Sequence, residues 1–326
     1  MESQASIDRT SPEAQTIVLS WVKYHGRSAG IAKGLRGTAL FPPDEIMNLK
    51  VPSRYVQLAK WTNTTLKETS AKLIIVMMPP SFLVFAVKLW TPRTTRVVGD
   101  LHSAALRGAR WGWLRGLAFW SLRRDGAIVT NQEDARLLAL HRVNSVILHD
   151  DISIARIELK HKKSAIRTVV FPASYAPDEP IPAILDACRL LPDIRFVFTG
   201  KAPNALRDNL PANTTVTGFL AYEDLIELLS TADSILAITT RNFTMQRAGY
   251  EAFSLGVPQV TSNFPVLREF YEDTASYCNP TEPESIRDAI MDSLARTTTI
   301  KADIEHLRGR RISEQRATYD AILAKA

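Results

Sequence analysis

Between Thr239 and Pro258 the chain places residue types suited to handling a phosphate ester. The run Thr239-Thr240-Arg241-Asn242-Phe243-Thr244-Met245-Gln246-Arg247-Ala248-Gly249-Tyr250-Glu251 reads as the end of a strand, a short loop and a helix starting near Met245. The first turn of a helix carries N–H groups without intrahelical partners and the positive end of the macrodipole, and both attract anions. Arg247 falls in that turn, where a cation is unfavourable unless an anion is shared with it. Glu251 follows at i, i+4 on the same face. The plainer reading of the two is an intrahelical ion pair worth roughly 0.2–0.5 kcal/mol. Gly256 and Pro258 then stop the helix.

Two loops in the first half carry further candidates. In Val98-Gly99-Asp100-Leu101-His102-Ser103 an apolar run ends in a carboxylate and an imidazole. Asp100 can fix the tautomer of His102 and leave its other ring nitrogen to act as a base, while the plainer role for such a histidine is a loop hydrogen bond. His25-Gly26-Arg27-Ser28 follows another apolar run. There Gly26 permits close backbone approach and Arg27 can meet a phosphate; Ser28 as a simple helix N-cap is the alternative.

The segment Arg107–Arg124 holds Trp111, Trp113 and Trp120 together with five arginines. On a helix Trp113, Leu117 and Trp120 make one stripe, with Trp111 and Arg115 on the neighbouring face. A basic aromatic helix of this kind can lie in a lipid headgroup layer or grip a lipid-linked diphosphate acceptor, although most apolar helical stripes face a core.

The elements that must hold these residues follow from periodicity. Short apolar runs suited to buried parallel strands alternate with segments of helical period along the whole chain. In the first half the strands are Thr16–Trp21, Thr38–Phe41, Leu73–Met77, Thr95–Gly99, Ala127–Thr130 and Ser145–Leu148. The pattern restarts after the basic segment Glu158–Ser164 with Thr168–Phe171, Arg195–Thr199, Thr214–Thr217, Ser234–Ile238, Gln259–Thr261 and Ser276–Tyr277. Helical stretches separate them, the last being Ile300–Ala324. Two successive series of this kind predict two doubly wound α/β domains. The expected boundaries are a disordered tail over 1–14, a first domain over 15–160, a second over 161–299 and a terminal helical segment over 300–326. In such sheets ligands bind beyond the carboxyl ends of the strands, which is where the candidate residues fall.

Composition narrows the function classes. A 326-residue chain with 45% hydrophobic and 23% charged residues is globular and long enough for two cores. Its net charge of +6 favours anionic partners without naming them. Cys188 and Cys278 show no metal-ligand spacing and suit a reducing compartment as small core residues. No basic and apolar leader opens the sequence, and Pro79-Pro80 interrupts the one long apolar stretch, Leu73–Trp90, so a strand, a break and a helix are expected there. A cytoplasmic protein, at most in peripheral contact with the inner face of an anionic membrane, is the expectation. Gly26, Gly30 and Gly34 do not make a dinucleotide fingerprint, no Asp-x-Asp offers a metal anchor, and no nucleic-acid motif is present. No cofactor and no metal are expected.

The run Tyr250-Glu251-Ala252-Phe253-Ser254-Leu255-Gly256-Val257-Pro258-Gln259-Val260, with Ser262 and Glu269 beyond it, resembles the Glu-Ala-x-x-x-Gly-x-Pro-Val signature of the "group 1" glycosyltransferases of the GT-B fold. Phe196-Val197-Phe198-Thr199-Gly200, Val216-Thr217-Gly218-Phe219-Leu220 and Ala232-Asp233 resemble that family's strands and turns in the same order. The resemblance covers roughly Ile166–Ala295. It implies two Rossmann-like doubly wound parallel-sheet domains facing across a cleft, with the terminal helix packing back on the first. It further implies a retaining transferase that takes a sugar from a nucleotide-diphosphate donor to a sugar or lipid-linked acceptor, in polysaccharide, glycolipid or glycoconjugate synthesis.

By the same resemblance Glu251 binds the donor ribose, and the loop Phe243, Thr244, Met245 and Gln246, with Arg241 and Arg247, holds the diphosphate and sugar. Gly200, Lys201, Gly218, Phe219 and Leu220 bracket the base. In the first domain, which binds the acceptor, His102 lies beside the transferred sugar with Asp100, and His25, Gly26 and Arg27 form the first loop as acceptor or phosphate contacts; Trp111 and Trp113 are acceptor candidates from the basic aromatic segment alone. The chain departs from the family pattern twice. Phe243 stands where a second glutamate is common, and Phe171–Glu179 lacks the usual Arg/Lys pair. These departures keep two alternatives open, a GT-B scaffold that binds sugar nucleotides without transferring them and a sugar-nucleotide epimerase.

Overall fold

The computed structural model describes residues 15–108, 112–153, 166–297 and 299–325. The expected tail over 1–14, the segment Glu158–Ser164 and Trp111 lie outside them. The chain divides into two compact units, residues 1–150 with 315–326, and residues 151–314.

Unit 1 is built on six parallel strands, β1 (Thr16–Leu19), β2 (Thr38–Leu40), β3 (Leu73–Met78), β4 (Arg96–Leu101), β5 (Ala127–Val129) and β6 (Ser145–Ile147), in the order β2-β1-β3-β4-β5-β6. Helices cover both faces, which is why β3 reads Leu-Ile-Ile-Val-Met-Met with every residue buried. Side chains alternate between two cores. Ile17, Leu19, Ile74, Val76 and Met78 point into one, and Val18, Leu73 and Ile75 into the other. After β3 the chain breaks at Pro79-Pro80 and resumes as helix Leu83–Trp90. Among the described residues no helix is long and apolar enough to cross a membrane.

Unit 2 repeats the plan with β7 (Thr168–Phe171), β8 (Arg195–Phe198), β9 (Thr214–Val216), β10 (Ser234–Ala237), β11 (Gln259–Ser262) and β12 (Ser276–Cys278), ordered β12-β11-β10-β7-β8-β9, all parallel. Phe171, Phe196, Phe198 and Leu236 fill one face while Val170, Val197 and Ile235 fill the other. Cys188 and Cys278 are buried free thiols whose pKa burial pushes up to about 12.

The last helix, Ile300–Leu323, serves both units. Ile300, Ile304 and Leu307 belong to the unit 2 core around Tyr250, Phe253 and Phe270. Ile322 belongs to the unit 1 core, and its carbonyl accepts from Arg96 Nη1 at 3.0 Å.

In each sheet the strand order reverses direction once, between β1 and β3 in unit 1 and between β7 and β10 in unit 2. Loops leaving the carboxyl ends of strands diverge at such a point and open a crevice, so ligand chemistry concentrates there.

Candidate functional site

At the switch point of unit 2 two loops are tied together by a residue that motif reasoning did not single out. Asp178, in the loop after β7, accepts from Thr239 Oγ1 at 2.9 Å through its carboxylate and from Thr240 N at 2.8 Å through its carbonyl. Arg241 lies 3.5 Å from the other carboxylate oxygen. Next to it, the Glu179 carboxylate accepts from Ser174 Oγ and Tyr175 N, each at 2.6 Å, and from Ser174 N at 3.1 Å. These amides form a small anion hole filled by the chain's own glutamate.

The helix beyond the second loop begins at Arg247 rather than at the expected Met245. Phe243 adopts φ 66°, and the Gln246 side chain donates to Ile238 O at 3.1 Å, so the chain makes one more turn before the helix starts. Phe243 and Met245 pack against the apolar cluster that includes Tyr250 and Phe253. Phe243 therefore supplies packing at the position where the family commonly has a carboxylate, and the loop's polar offering is Thr244, Gln246 and backbone amides.

Arg247 occupies the first helical position. Its Nε donates to Glu251 Oε1 at 2.9 Å, and its guanidinium sits 5.5 Å from the Tyr222 ring centroid. Burial opposes the Arg247 charge, but Glu251 outweighs it and raises its pKa. The Glu251 side chain is 5% exposed and that of Arg247 51%, so the carboxylate is anchored while the guanidinium faces solvent. Gly256, at φ 70°, ends the helix in the left-handed conformation expected of it.

Two glycine turns stand nearby on the neighbouring strands. Gly200 N donates to Gly218 O at 2.8 Å. Gly200 has φ 79°, and a Cβ there would lie 2.2 Å from Ala173 O, so the approach of the β7 and β8 loops requires glycine. Beyond Gly218, Phe219 stands 76% exposed, with Leu220 half-buried and Lys201 exposed.

In unit 1 the candidate residues converge on one buried network. Asp100 is fully buried and receives Arg27 Nη2 at 2.9 Å and Nε at 3.1 Å, while Arg27 Nη1 reaches Asp150 at 3.0 Å. Arg27 is itself buried, so its guanidinium anchors two carboxylates of its own unit. His102 Nε2 lies 3.2 Å from Asp100 Oδ2, and its ring meets that of His25 edge to face at 5.0 Å between centroids. Burial alone would raise the Asp100 carboxyl, but Arg27 and then His102 outweigh it and hold it well below the usual carboxylate range. Burial, and next the neighbouring His102, push His25 below the usual imidazole value.

Helix Gly26–Gly34 starts earlier than a Ser28 cap would place it. His25 is the N-cap, its Nδ1 accepting from Ser28 N at 3.4 Å, and Ser28 Oγ pairs with Ser20 Oγ at 2.7 Å inside the unit. The accepting Nδ1 agrees with a neutral His25. The contact of His102 Nε2 with Asp100 Oδ2 fixes the orientation of the imidazole.

The segment after Arg107 forms helix Gly112–Leu122, and its stripe does not face a core. Ala118, Phe119 and Leu122 are buried, while Trp113, Leu117 and Trp120 point outward. Arg115 is turned inward onto the carbonyl of Leu106.

Residues 167–296 match the family model described as "Glycosyl transferases group 1". No curated protein matches the chain. Among solved structures, HepE from Anabaena, crystallised with UDP and glucose, superposes with a TM-score of 0.72 at 14% identity over 95% of this chain and 99% of that one. A sucrose-phosphate synthase from Thermosynechococcus elongatus gives 0.71 at 15% identity over 94% and 96%. An α,α-trehalose 6-phosphate synthase from Burkholderia multivorans gives 0.70 at 10% over 96% and 98%. The chain has the GT-B fold, and its residues 167–296 are similar to the group 1 glycosyl transferases.

Proposed function

We propose that this protein transfers a sugar, with retention, from a nucleoside-diphosphate donor held on unit 2 to an acceptor hydroxyl of a sugar or lipid-linked substrate bound by unit 1. The observation that carries the proposal is the arrangement at the β7/β10 switch point. A solvent-facing Arg247 heads a helix that has no side-chain N-cap, and its partner Glu251 is anchored one turn below. In this reading Glu251 accepts from the donor ribose, and Gly200, Lys201, Gly218, Phe219 and Leu220 receive the base. Arg247, Lys201 and Arg241, with the amides near Thr244, stabilise charge developing on the departing diphosphate, which is the main catalytic contribution such a site makes. His102, oriented by Asp100, positions the acceptor hydroxyl or takes its proton. Because side-chain cations meet the phosphate charge, transfer is expected to persist in a metal chelator.

Calorimetric titration with a panel of nucleotide sugars, followed by mass analysis of products formed with the tightest donor, tests the proposal. Glu251→Ala should weaken donor binding, and His102→Ala should spare binding but abolish transfer. Normal turnover in both variants would sink the assignment. Phe243 in place of a carboxylate favours a second reading, a scaffold that binds sugar nucleotides without turnover. Tight donor binding with no product under any acceptor would select it.

A further inference from the structure

The outward stripe of helix Gly112–Leu122 is absorbed by neither site. Trp113 is 77% exposed, Leu117 50% and Trp120 62%, and a Cβ added at Gly116 between them would meet nothing within 4 Å. From Trp113 to Trp120 the stripe runs about 10 Å along the helix. A single exposed apolar side chain needs no explanation, but two tryptophans and a leucine on one helical face do. Leu89, 79% exposed, adds another apolar group on the neighbouring helix Leu83–Trp90.

The charge around the stripe is mainly positive. Helix Gly112–Leu122 bears no Asp or Glu. Past its C-terminal end come Arg123 and Arg124, both exposed, and Arg124 Nη2 donates to the carbonyl of exposed Arg93 at 3.1 Å, bringing a third arginine alongside. The adjacent carboxylate, Asp125, is held by Lys88 Nζ at 2.6 Å and lies 3.7 Å from Arg124 Nε. An apolar face rich in tryptophan beside clustered arginines is complementary to one surface above others, the headgroup layer of a bilayer containing anionic lipid. There indole rings sit at the apolar–polar boundary and guanidinium groups meet phosphates.

We propose that helix Gly112–Leu122 docks unit 1 flat onto an anionic lipid bilayer, with Trp113, Leu117 and Trp120 inserted in the interface and Arg93, Arg123 and Arg124 on the headgroups. This does not rest on the transferase reading. It is tested by sedimenting the full chain with sucrose-loaded vesicles of phosphatidylcholine alone, and of phosphatidylcholine and phosphatidylglycerol in equal parts. The protein should bind the anionic vesicles at least about tenfold more tightly, less so as salt rises. Its tryptophan emission should shift to shorter wavelength on binding. The double variant Trp113→Ala/Trp120→Ala should lose at least about tenfold in partitioning and the emission shift. Arg93→Gln/Arg123→Gln should narrow the preference for anionic over neutral vesicles. Both pairs are exposed, and an unchanged melting temperature confirms that the variants fold. Three results overturn the proposal: no vesicle binding by the unaltered chain, equal binding by the tryptophan double variant, or a dimer that the double variant abolishes without any vesicle binding.

Discussion

Arg247 Nε and Glu251 Oε1 lie 2.9 Å apart on one face of the helix that leaves the β7/β10 switch point, the glutamate buried and the arginine open to solvent. A pair so unequal in exposure stabilises the helix only slightly, because the open guanidinium is already solvated and screened. Its consequence is geometric. The carboxylate is held in one place, and the guanidinium turns its remaining N–H groups outward at the positive end of the helix.

The two residues should therefore report on different parts of a nucleotide. Glu251→Gln is expected to weaken binding of the donor's nucleoside and of its nucleoside diphosphate alike, by about tenfold or more, the loss for a hydrogen bond to a charged group. Arg247→Ala should weaken the diphosphate more than the nucleoside. Isothermal titration of both variants with both ligands checks this, and equal losses in all four measurements would overturn the division of roles.

Arg27 should prove to be a folding residue. Its guanidinium is the main countercharge of fully buried Asp100, so Arg27→Ala leaves a carboxylate without its partner inside the unit. Breaking one half of a buried pair costs about 3–5 kcal/mol. Urea denaturation should show that loss, and Arg27→Met/Asp100→Asn should recover part of it. A loss within error of zero for Arg27→Ala would mean that Asp100 takes up a proton without cost, contrary to its lowered pKa.

How far these features were legible in the sequence depended on how far apart the partners lie. Strands such as β3 announce themselves because burial on both faces demands an unbroken apolar run, a purely local demand. Arg247 and Glu251, one turn apart, were readable as a pair for the same reason. Asp150 and Asp178 were not, since each acts on a partner far away in the chain, Arg27 and Thr239. The helix starts at Arg247 and Gly26 were displaced from their expected positions by side chains that replace or delay the cap, Gln246 reaching Ile238 O and His25 capping itself. The stripe of Trp113, Leu117 and Trp120 shows a further limit. Periodicity locates an apolar face, but Ala118, Phe119 and Leu122 make a second one, and only the fold decides which is covered.

Acid should destabilise the protein in two steps whose upper one belongs to His25. Its folded-state pKa is lowered by burial, so the unfolded chain binds the proton more readily. Stability is full above the ordinary imidazole value of about 6.5 and falls as pH drops below it. Asp100 is likewise lowered, so its contribution is full above about 3.9 and is lost as pH falls further. His25→Asn keeps an N-cap and removes the titrating ring. Melting temperatures measured against pH should then stay flat through the upper window in this variant while the lower decline remains. A His25→Asn profile parallel to that of the unaltered chain would show that other histidines carry the upper step.

Gly200 and Gly218 separate backbone strain from steric contact. Both hold a left-handed φ, 79° and 82°, so alanine at either position is strained by roughly 1–3 kcal/mol. A Cβ at Gly218 meets nothing within 4 Å, whereas at Gly200 it would lie 2.2 Å from the carbonyl oxygen of Ala173. That oxygen belongs to the backbone of the loop after β7, which Glu179 holds through Ser174 and Tyr175, so it cannot move without loosening the loop that carries Asp178. Gly218→Ala should thus lower the melting temperature modestly, through backbone strain alone. Gly200→Ala should lower it further and weaken donor binding as well, because the Asp178 tie to Thr239 shifts with the loop. Equal losses of stability at the two positions would show that φ alone sets the cost and that the β7 loop yields freely.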